Sequence, residues 1–326
     1  MVQKRINICL VSTQGGHFEQ LSNLGQFYES YDHFWITNEN RQTLSQLQNE
    51  RKYFVDMGHY KRPWTYLNQV PHFIKIFAKE KPTHIVSTGS GRTALVPFIL
   101  GRALKIPFIY IDTFSRVYGY SKFGSFLLSL RQQVLCQWPD DKNSRAVYIG
   151  PVFKNPEALP KNSNSNHVFV TVGTRDEPFT RLIAAVEELV RKGAIKEKVI
   201  VQAGHSKYLS DQIEIFDFCT PDEIDDFIRN AKYVITQESA GTGTKCLKYK
   251  TKFLVMPRQY KFGELPSRSD MDEDLHLKLQ ELKYTKVVNN IYELELAIHQ
   301  IDKLKTGFHF DNQLAIISLT KILEES

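Results

Sequence analysis

The sequence is poor in cysteine, and its four cysteines are isolated. Cys9, Cys136, Cys219 and Cys246 lie far apart and form no CxxC pair. That argues against a zinc site or a disulfide framework and fits a reducing cytosol. Long apolar runs are missing too. The strongest stretch, Thr93 to Ile111, is broken by Arg102 and Lys105 and does not read as a bilayer span. The opening MVQKR is basic, but the apolar run behind it has only strand length, so no signal peptide is expected. There is no GxxxxGK[ST] phosphate loop, no internal repeat, and no low-complexity tract outside one segment near the middle. The acidic run DMDED, 270–274, contains a DxD but follows no strand and reads as a solvated turn. No metal and no cofactor is expected.

What is present points to a two-domain globular protein. A chain of 326 residues is long enough for two ordinary domains, and 42% apolar with 24% charged residues places it among soluble ones. The charge is uneven. Residues 1–153 carry 18 Lys and Arg against 10 Asp and Glu, whereas the remainder carries 24 against 26. The basic first half asks for an anionic partner: phosphates, a lipid surface or nucleic acid.

Strand-like and helix-like segments alternate through both halves. In the first, strands are expected at Ile6–Ser12, His33–Thr37, Tyr53–Asp56, His84–Ser87, Phe108–Ile111 and Val134–Trp138. In the second, they are expected at Val168–Val172, Val199–Gln202, Ile213–Asp217, Tyr233–Thr236, Phe253–Met256 and Lys286–Val288. Helices are expected at Thr180–Arg191, Pro221–Asn230, Thr244–Lys250, Leu275–Glu281 and Ile291–Ile301, with a terminal helix over about Gln313–Glu324. Such βαβ alternation predicts an α/β protein with two doubly wound parallel sheets. The proline- and Asn/Ser-rich run at 151–166 is the clearest linker, between a first domain at 1–150 and a second at 167–326 whose terminal helix could pack back on the first. Ligands of doubly wound sheets bind outside the carboxyl ends of the strands, so a cleft enzyme or binding protein is expected.

Glycine bends fall at those strand ends. In CLVSTQGGHFEQL, 9–21, a strand meets Gly15 and Gly16, then His17 and Glu19. STGSGRT, 87–93, repeats the pattern with Ser90, Gly91 and Arg92, where a diphosphate could sit beside the arginine. YIDTFSR ends a strand with Asp112 and Arg116; the acid could face a cleft or only orient the arginine. In the second half, FVTVGTR brings Gly173, Thr174 and Arg175, and VQAGHSKY brings Gly204 and His205. YVITQESAGTGTKCLKY, 233–249, runs a strand into Gln237, Glu238, Ser239, Ala240, Gly241, Thr242, Gly243 and Thr244 before a helix. Free N–H groups and the positive dipole end of that helix suit a phosphate, although an ordinary βα turn shows the same pattern.

Taken in order, FVTVGT, VQAGHSKY, FDFCTPDEIDDFIRNAKYVIT, SAGTGT and VMPRQYKFGE resemble the catalytic subunit of the eukaryotic dolichol-linked N-acetylglucosaminyltransferase. They are also similar to bacterial exopolysaccharide counterparts and to the donor domain of the lipid II-forming transferase. GGHFEQL, STGSGRTALVPFILGRALKIPFIYIDTFSR and CQWP resemble the partner, acceptor-side subunit of the same enzyme. The resemblance covers most of the chain and implies a fused GT-B glycosyltransferase. Two Rossmann-like domains would face a cleft, with an acceptor-binding, membrane-associating first domain and a nucleotide-sugar-binding second one. The reaction implied is inverting and metal-independent. It would move a sugar from a UDP-sugar donor to a polyprenyl-diphosphate saccharide, in capsule or exopolysaccharide synthesis, at the inner face of the cell membrane. Nucleic acid is not among the implied partners.

The resemblance also implies a donor site at Gly173, Thr174, Gly204, Gly241 and Thr242. The chain departs from the family pattern there: Gln237, Ser239 and Lys245 stand where His, Gly and Glu are usual. That Glu normally accepts from the ribose hydroxyls, which a lysine cannot do. Either Glu238 or Glu264 would then read the ribose or its recognition would be weaker, and Lys245 could offset diphosphate or sugar-carboxylate charge. On the acceptor side His17 is the expected base, with Glu19 its competitor; the bland reading gives both only helix-end roles. The basic, aromatic segments at 60–82 and 118–131 suit an anionic membrane surface, or else a helix packed on the sheet with a charged outer face. A nucleotide-sugar 2-epimerase, or a non-catalytic membrane adaptor with a decayed donor site, are the rival functions.

Overall fold

The structure is a computed structural model that describes residues 5–58, 63–89, 91–139, 143–154, 166–267 and 274–326. The linker core at 155–165, the DxD of DMDED, Ser90, Lys61 and Arg62 lie outside the described residues.

The chain divides into two compact units. The first comprises Met1–Lys154 with Phe310–Ser326, and the second Asn155–His309. In the first unit the strands are β1 (Asn7–Val11), β2 (Asp32–Thr37), β3 (Lys52–Phe54), β4 (His84–Thr88), β5 (Phe108–Ile111), β6 (Val134–Cys136) and β7 (Ala146–Tyr148). They pair in the order β3-β2-β1-β4-β5-β6-β7, with every pair parallel. Its helices are α1 (Gly16–Ser22), α2 (Gly25–Tyr28), α3 (Arg41–Gln46), α4 (Gln69–Glu80), α5 (Gly91–Leu104) and α6 (Lys122–Ser129). β7 was not expected from the sequence. It is three residues long, lies at the sheet edge and is only partly covered, so it lacks the apolar run that marks the inner strands.

In the second unit β8 (His167–Thr171), β9 (Lys198–Gln202), β10 (Glu214–Phe216), β11 (Ala231–Thr236), β12 (Lys252–Val255) and β13 (Thr285–Val287) form a parallel sheet. Their order is β10-β9-β8-β11-β12-β13. The helices are α7 (Thr180–Arg191), α8 (Pro221–Asn230), α9 (Ala240–Lys248), α10 (Asp274–Glu281) and α11 (Ile291–His299); the chain then returns to the first unit as α12 (Gln313–Glu325). There, Asn312 Nδ2 donates to Asn23 O at 2.8 Å and Gln313 Nε2 to Gln26 Oε1 at 3.2 Å.

Local chemistry explains these elements. The central strands bury near-continuous apolar runs because helices cover both sheet faces. Helix α7 turns Leu182, Ile183, Val186 and Leu189 onto Val168, Val170, Ile235 and Leu254, each such side chain contributing about 1.5–3 kcal/mol on burial. Helix α8 starts on a capping box: Glu223 N donates to Thr220 Oγ1 at 3.3 Å, and Thr220 N to Glu223 Oε2 at 2.7 Å. In the first unit Phe73 and Phe77 of α4 pack on Cys9, Val11, Phe34 and Ile85.

Both sheets reverse their strand order once, between β1 and β4 and between β8 and β11. Those are the topological switch points, where the bends after neighbouring strands diverge and leave room for a ligand.

Candidate functional site

In the second unit the switch point lies beside the start of α9. The sequence reading starts this helix at Thr244, but it begins at Ala240, so Gly241, Thr242 and Gly243 are helical. The reason is Ser239, whose extended backbone and Oγ, accepting Thr242 N at 3.4 Å, form an N-cap. The first-turn N–H groups of Ala240 and Gly241 have no intrahelical acceptor by geometry. Around Gly241 there is open space: the nearest atom to an added Cβ is Ser239 Oγ, at 3.9 Å. Amides without an intrahelical acceptor, at a positive dipole end, are what an anion needs.

The glycines of the neighbouring bends serve packing. Gly173 has φ +74°, and an added Cβ would lie 1.9 Å from Gln237 Nε2; Gly204 has φ +57°, and an added Cβ would lie 2.5 Å from Gly173 O. The bends after β8, β9 and β11 are therefore stacked in direct contact. Thr174 and His205 are exposed and Arg175 partly so; the His205 ring packs on Phe218 at 5.0 Å.

One residue the sequence reading passed over holds this region together. Arg258 is 1% exposed. Its guanidinium donates to Gln237 Oε1, to Glu177 O at 2.7 Å, to Val172 O at 2.8 Å and to Glu264 O at 3.1 Å. Its own N–H donates to Glu238 Oε2 at 2.8 Å. Glu264 is likewise committed: Arg181 grips its two oxygens at 2.8 and 2.9 Å, and Gln259 N donates to Oε2 at 2.7 Å. Arg181 lies between the rings of Phe179 and Phe262, at 5.1 and 5.0 Å. Both carboxylates expected to read a ribose thus carry protein hydrogen bonds. Lys245 on α9 is paired through Nζ with the carboxylate of Asp225 of α8.

In the first unit α1 starts at Gly16, so His17 and Glu19 leave the helix in different directions. The His17 ring lies on the bend after β4: an added Cβ on Gly89 would come within 3.2 Å of its Cγ. Thr88 Oγ1 donates to His17 O at 2.9 Å. Among the described residues, Nδ1 of His17 is buried without a hydrogen-bond partner. Burial, with the nearby Arg92 cation, lowers the imidazole to about 4, so it is neutral at physiological pH. Gly91 and Arg92 open the 14-residue helix α5 beside it, and Gly15 and Gly16 face open space.

Asp112 is committed locally. Its Oδ1 accepts Thr113 N at 2.8 Å and its Oδ2 accepts Ser121 N at 2.9 Å, and burial raises the carboxyl. It shapes the loop that carries Arg116. A buried amide pair, unmarked in the sequence, joins this loop to α1. Gln20 Oε1 accepts Phe114 N at 2.9 Å and Gln137 Nε2 at 2.7 Å, and Gln137 Nε2 also donates to Asp112 O at 2.9 Å.

Helices α4, α5 and α6 pack side by side in the same unit. Their outer surfaces expose Ile74, Ile99, Leu104 and Phe126, with Leu130 just beyond, among Lys75, Lys79, Arg102, Lys105, Lys122 and Arg131. Among the described residues no helix is long and apolar enough to cross a membrane.

No protein-family model matches the chain, and no curated protein matches it in sequence. Solved structures do match. UDP-GlcNAc 2-epimerase from Methanocaldococcus jannaschii, in complex with UDP-GlcNAc and UDP, superposes with a TM-score of 0.69 at 13% identity, covering 98% of this chain and 100% of that one. Acinetobacter baumannii MurG superposes at 0.63 and 11% identity, again over 98% and 100%. The glycosyltransferase SnogD from Streptomyces nogalater superposes at 0.62 and 12% identity, over 97% and 100%. Two parallel-sheet, Rossmann-like α/β units matching these structures define the fold: it is that of GT-B glycosyltransferases and the related epimerases.

Proposed function

We propose that the protein is an inverting glycosyltransferase that moves a sugar from a UDP-sugar to a polyprenyl-diphosphate saccharide. The observation that carries this reading is the Ser239-capped start of α9, open at Gly241, beside the switch point of the second sheet. A diphosphate is the ligand such a helix end favours, and its stabilisation as a leaving group requires no metal. In the first unit His17 is a neutral imidazole, the form that can accept a proton, and its buried Nδ1 has no hydrogen-bond partner among the described residues. The acceptor hydroxyl attacks the anomeric carbon and loses its proton to His17. The bond from that carbon to the diphosphate oxygen breaks, and UDP departs with its electron pair. Arg92 and the start of α5 supply positive potential for the acceptor's own diphosphate. The basic and apolar outer surfaces of α4, α5 and α6 suit the anionic inner face of a membrane, where a capsule or exopolysaccharide precursor would be extended.

Calorimetry with UDP and a mass-spectrometric screen of UDP-sugars against lipid-linked acceptors test this. Expected are UDP binding, transfer from one donor, and a loss of roughly 10²–10⁴-fold in kcat for His17→Ala with UDP binding kept. Absence of both UDP binding and transfer would leave a non-catalytic adaptor. A second reading is favoured by the superposition on a UDP-GlcNAc-bound 2-epimerase. It predicts that the sugar of UDP-GlcNAc is altered at C2 with no acceptor present.

A further inference from the structure

Helix α10 places His276 directly behind the first turns of α9. The residue is 1% exposed, and among the described residues neither ring nitrogen makes a hydrogen bond. Polar ring atoms held in the interior without a well-aligned partner are costly. An apolar residue of similar size would fill the same space without that cost. The ring is also tightly placed. A Cβ added to Gly243 would come within 3.1 Å of His276 Nε2, so the lack of a side chain there is what lets this turn of α9 pack against the imidazole. The backbone of Ser239, the N-cap, lies near enough to favour the protonated ring.

We propose that His276 is a positioning residue of the diphosphate site: its ring sets how deep the first turns of α9 lie, and it takes up a proton when the ligand's negative charge arrives in front of them. This rests on the reading that a nucleotide diphosphate binds at the start of α9. Without ligand, burial holds the imidazole neutral, with its titration near 4. A diphosphate ahead of Ala240 and Gly241 adds negative charge across one helical turn and pulls that titration upward. The protonated ring can then donate toward the Ser239 backbone, tying the cap to α10. The elements packed on α10 carry Lys245 and Lys248 on α9 and Lys286 on β13, while α10 itself carries Asp274, Lys278 and Glu281. Lys245 is paired with Asp225 and Lys278 with Glu281; the titration of the ring is governed by burial and by Ser239.

The probe is UDP-N-acetylglucosamine, whose diphosphate diester does not titrate in the window used. Binding is followed by calorimetry in buffers of different ionisation enthalpy, at pH 5 and at pH 7.5, for the full chain and for His276→Leu and His276→Gln. The expected result is uptake of a fraction of a proton at pH 5 and none at pH 7.5, with both variants binding the ligand but losing the uptake. His276→Leu should melt no lower than the parent at pH 7.5, which a purely structural histidine would not allow. Gly243→Ala should weaken binding about tenfold, and adding His276→Ala should restore it. Unchanged proton uptake in both His276 variants, or full affinity in Gly243→Ala, overturns the inference alone. Failure of the parent protein to bind either UDP-N-acetylglucosamine or UDP overturns it together with the reading that a nucleotide diphosphate binds at the start of α9.

Discussion

Arg258 shows how much of the second unit depends on one side chain. Its guanidinium gathers carbonyl oxygens of Val172 and Glu177 in the loop after β8 and of Glu264 further along the chain, and fixes Gln237 beside the N-cap of α9. Arg258→Ala strands those acceptors and removes the cation that faces the buried carboxylate of Glu238. The loss should be about 3 kcal/mol or more, seen as a lower melting temperature of the second unit together with loss of UDP-sugar binding. Arg258→Lys should rescue little, because one ammonium cannot span the same fan of acceptors. This arginine was in view in the sequence, inside VMPRQYKFGE, yet nothing there distinguished it from a solvated one. Its acceptors at Val172 and Glu177 lie 86 and 81 positions away. The same holds for the Gln20–Gln137 pair, separated by 117 positions. His17 and Arg92 were legible because each sits in a glycine bend after an apolar run, a signal carried by consecutive residues.

Gly173 and Gly241, both at strand ends of the second unit, differ in what they permit. Gly173→Ala combines a positive φ with an overlap on Gln237, so it should destabilise the unit by about 2 kcal/mol or more, read as a drop in melting temperature. Gly241→Ala lies in a helical turn with open space, so stability should hold or rise by up to about 1 kcal/mol. Its added methyl group, however, stands where a ligand must approach the main chain, and UDP affinity should fall. A pair of variants that separates stability from binding in this way distinguishes packing glycines from ligand-facing ones. The sequence marked both as glycine turns of one kind. It also placed the start of α9 four residues late, because a run of Gly and Thr reads as loop until the serine ahead of it is seen to cap.

For the whole molecule, acid is the natural stress. The buried rings of His17 and His276 titrate near 4 in the fold, against 6.5 for an ordinary histidine. Between those values the unfolded chain binds more protons than the folded one. The stability present above pH 6.5 is therefore lost as pH falls, and the loss levels off below 4. For His276 the loss is on the order of 3 kcal/mol. Asp112, whose carboxyl burial raises, works in the opposite sense in the first unit. Calorimetric melts from pH 7.5 to 4 should show lower transition temperatures, most clearly in the second unit, and His276→Leu should flatten that dependence. By itself the sequence determined the alternation of strands and helices, the two sheets and the glycine bends at their carboxyl ends, because hydrophobic periodicity and turn chemistry are local. Strand order, the Arg258 fan and the place of His276 behind α9 came only from the tertiary structure. Each of these brings together groups far apart along the chain, where no local pattern records which will meet.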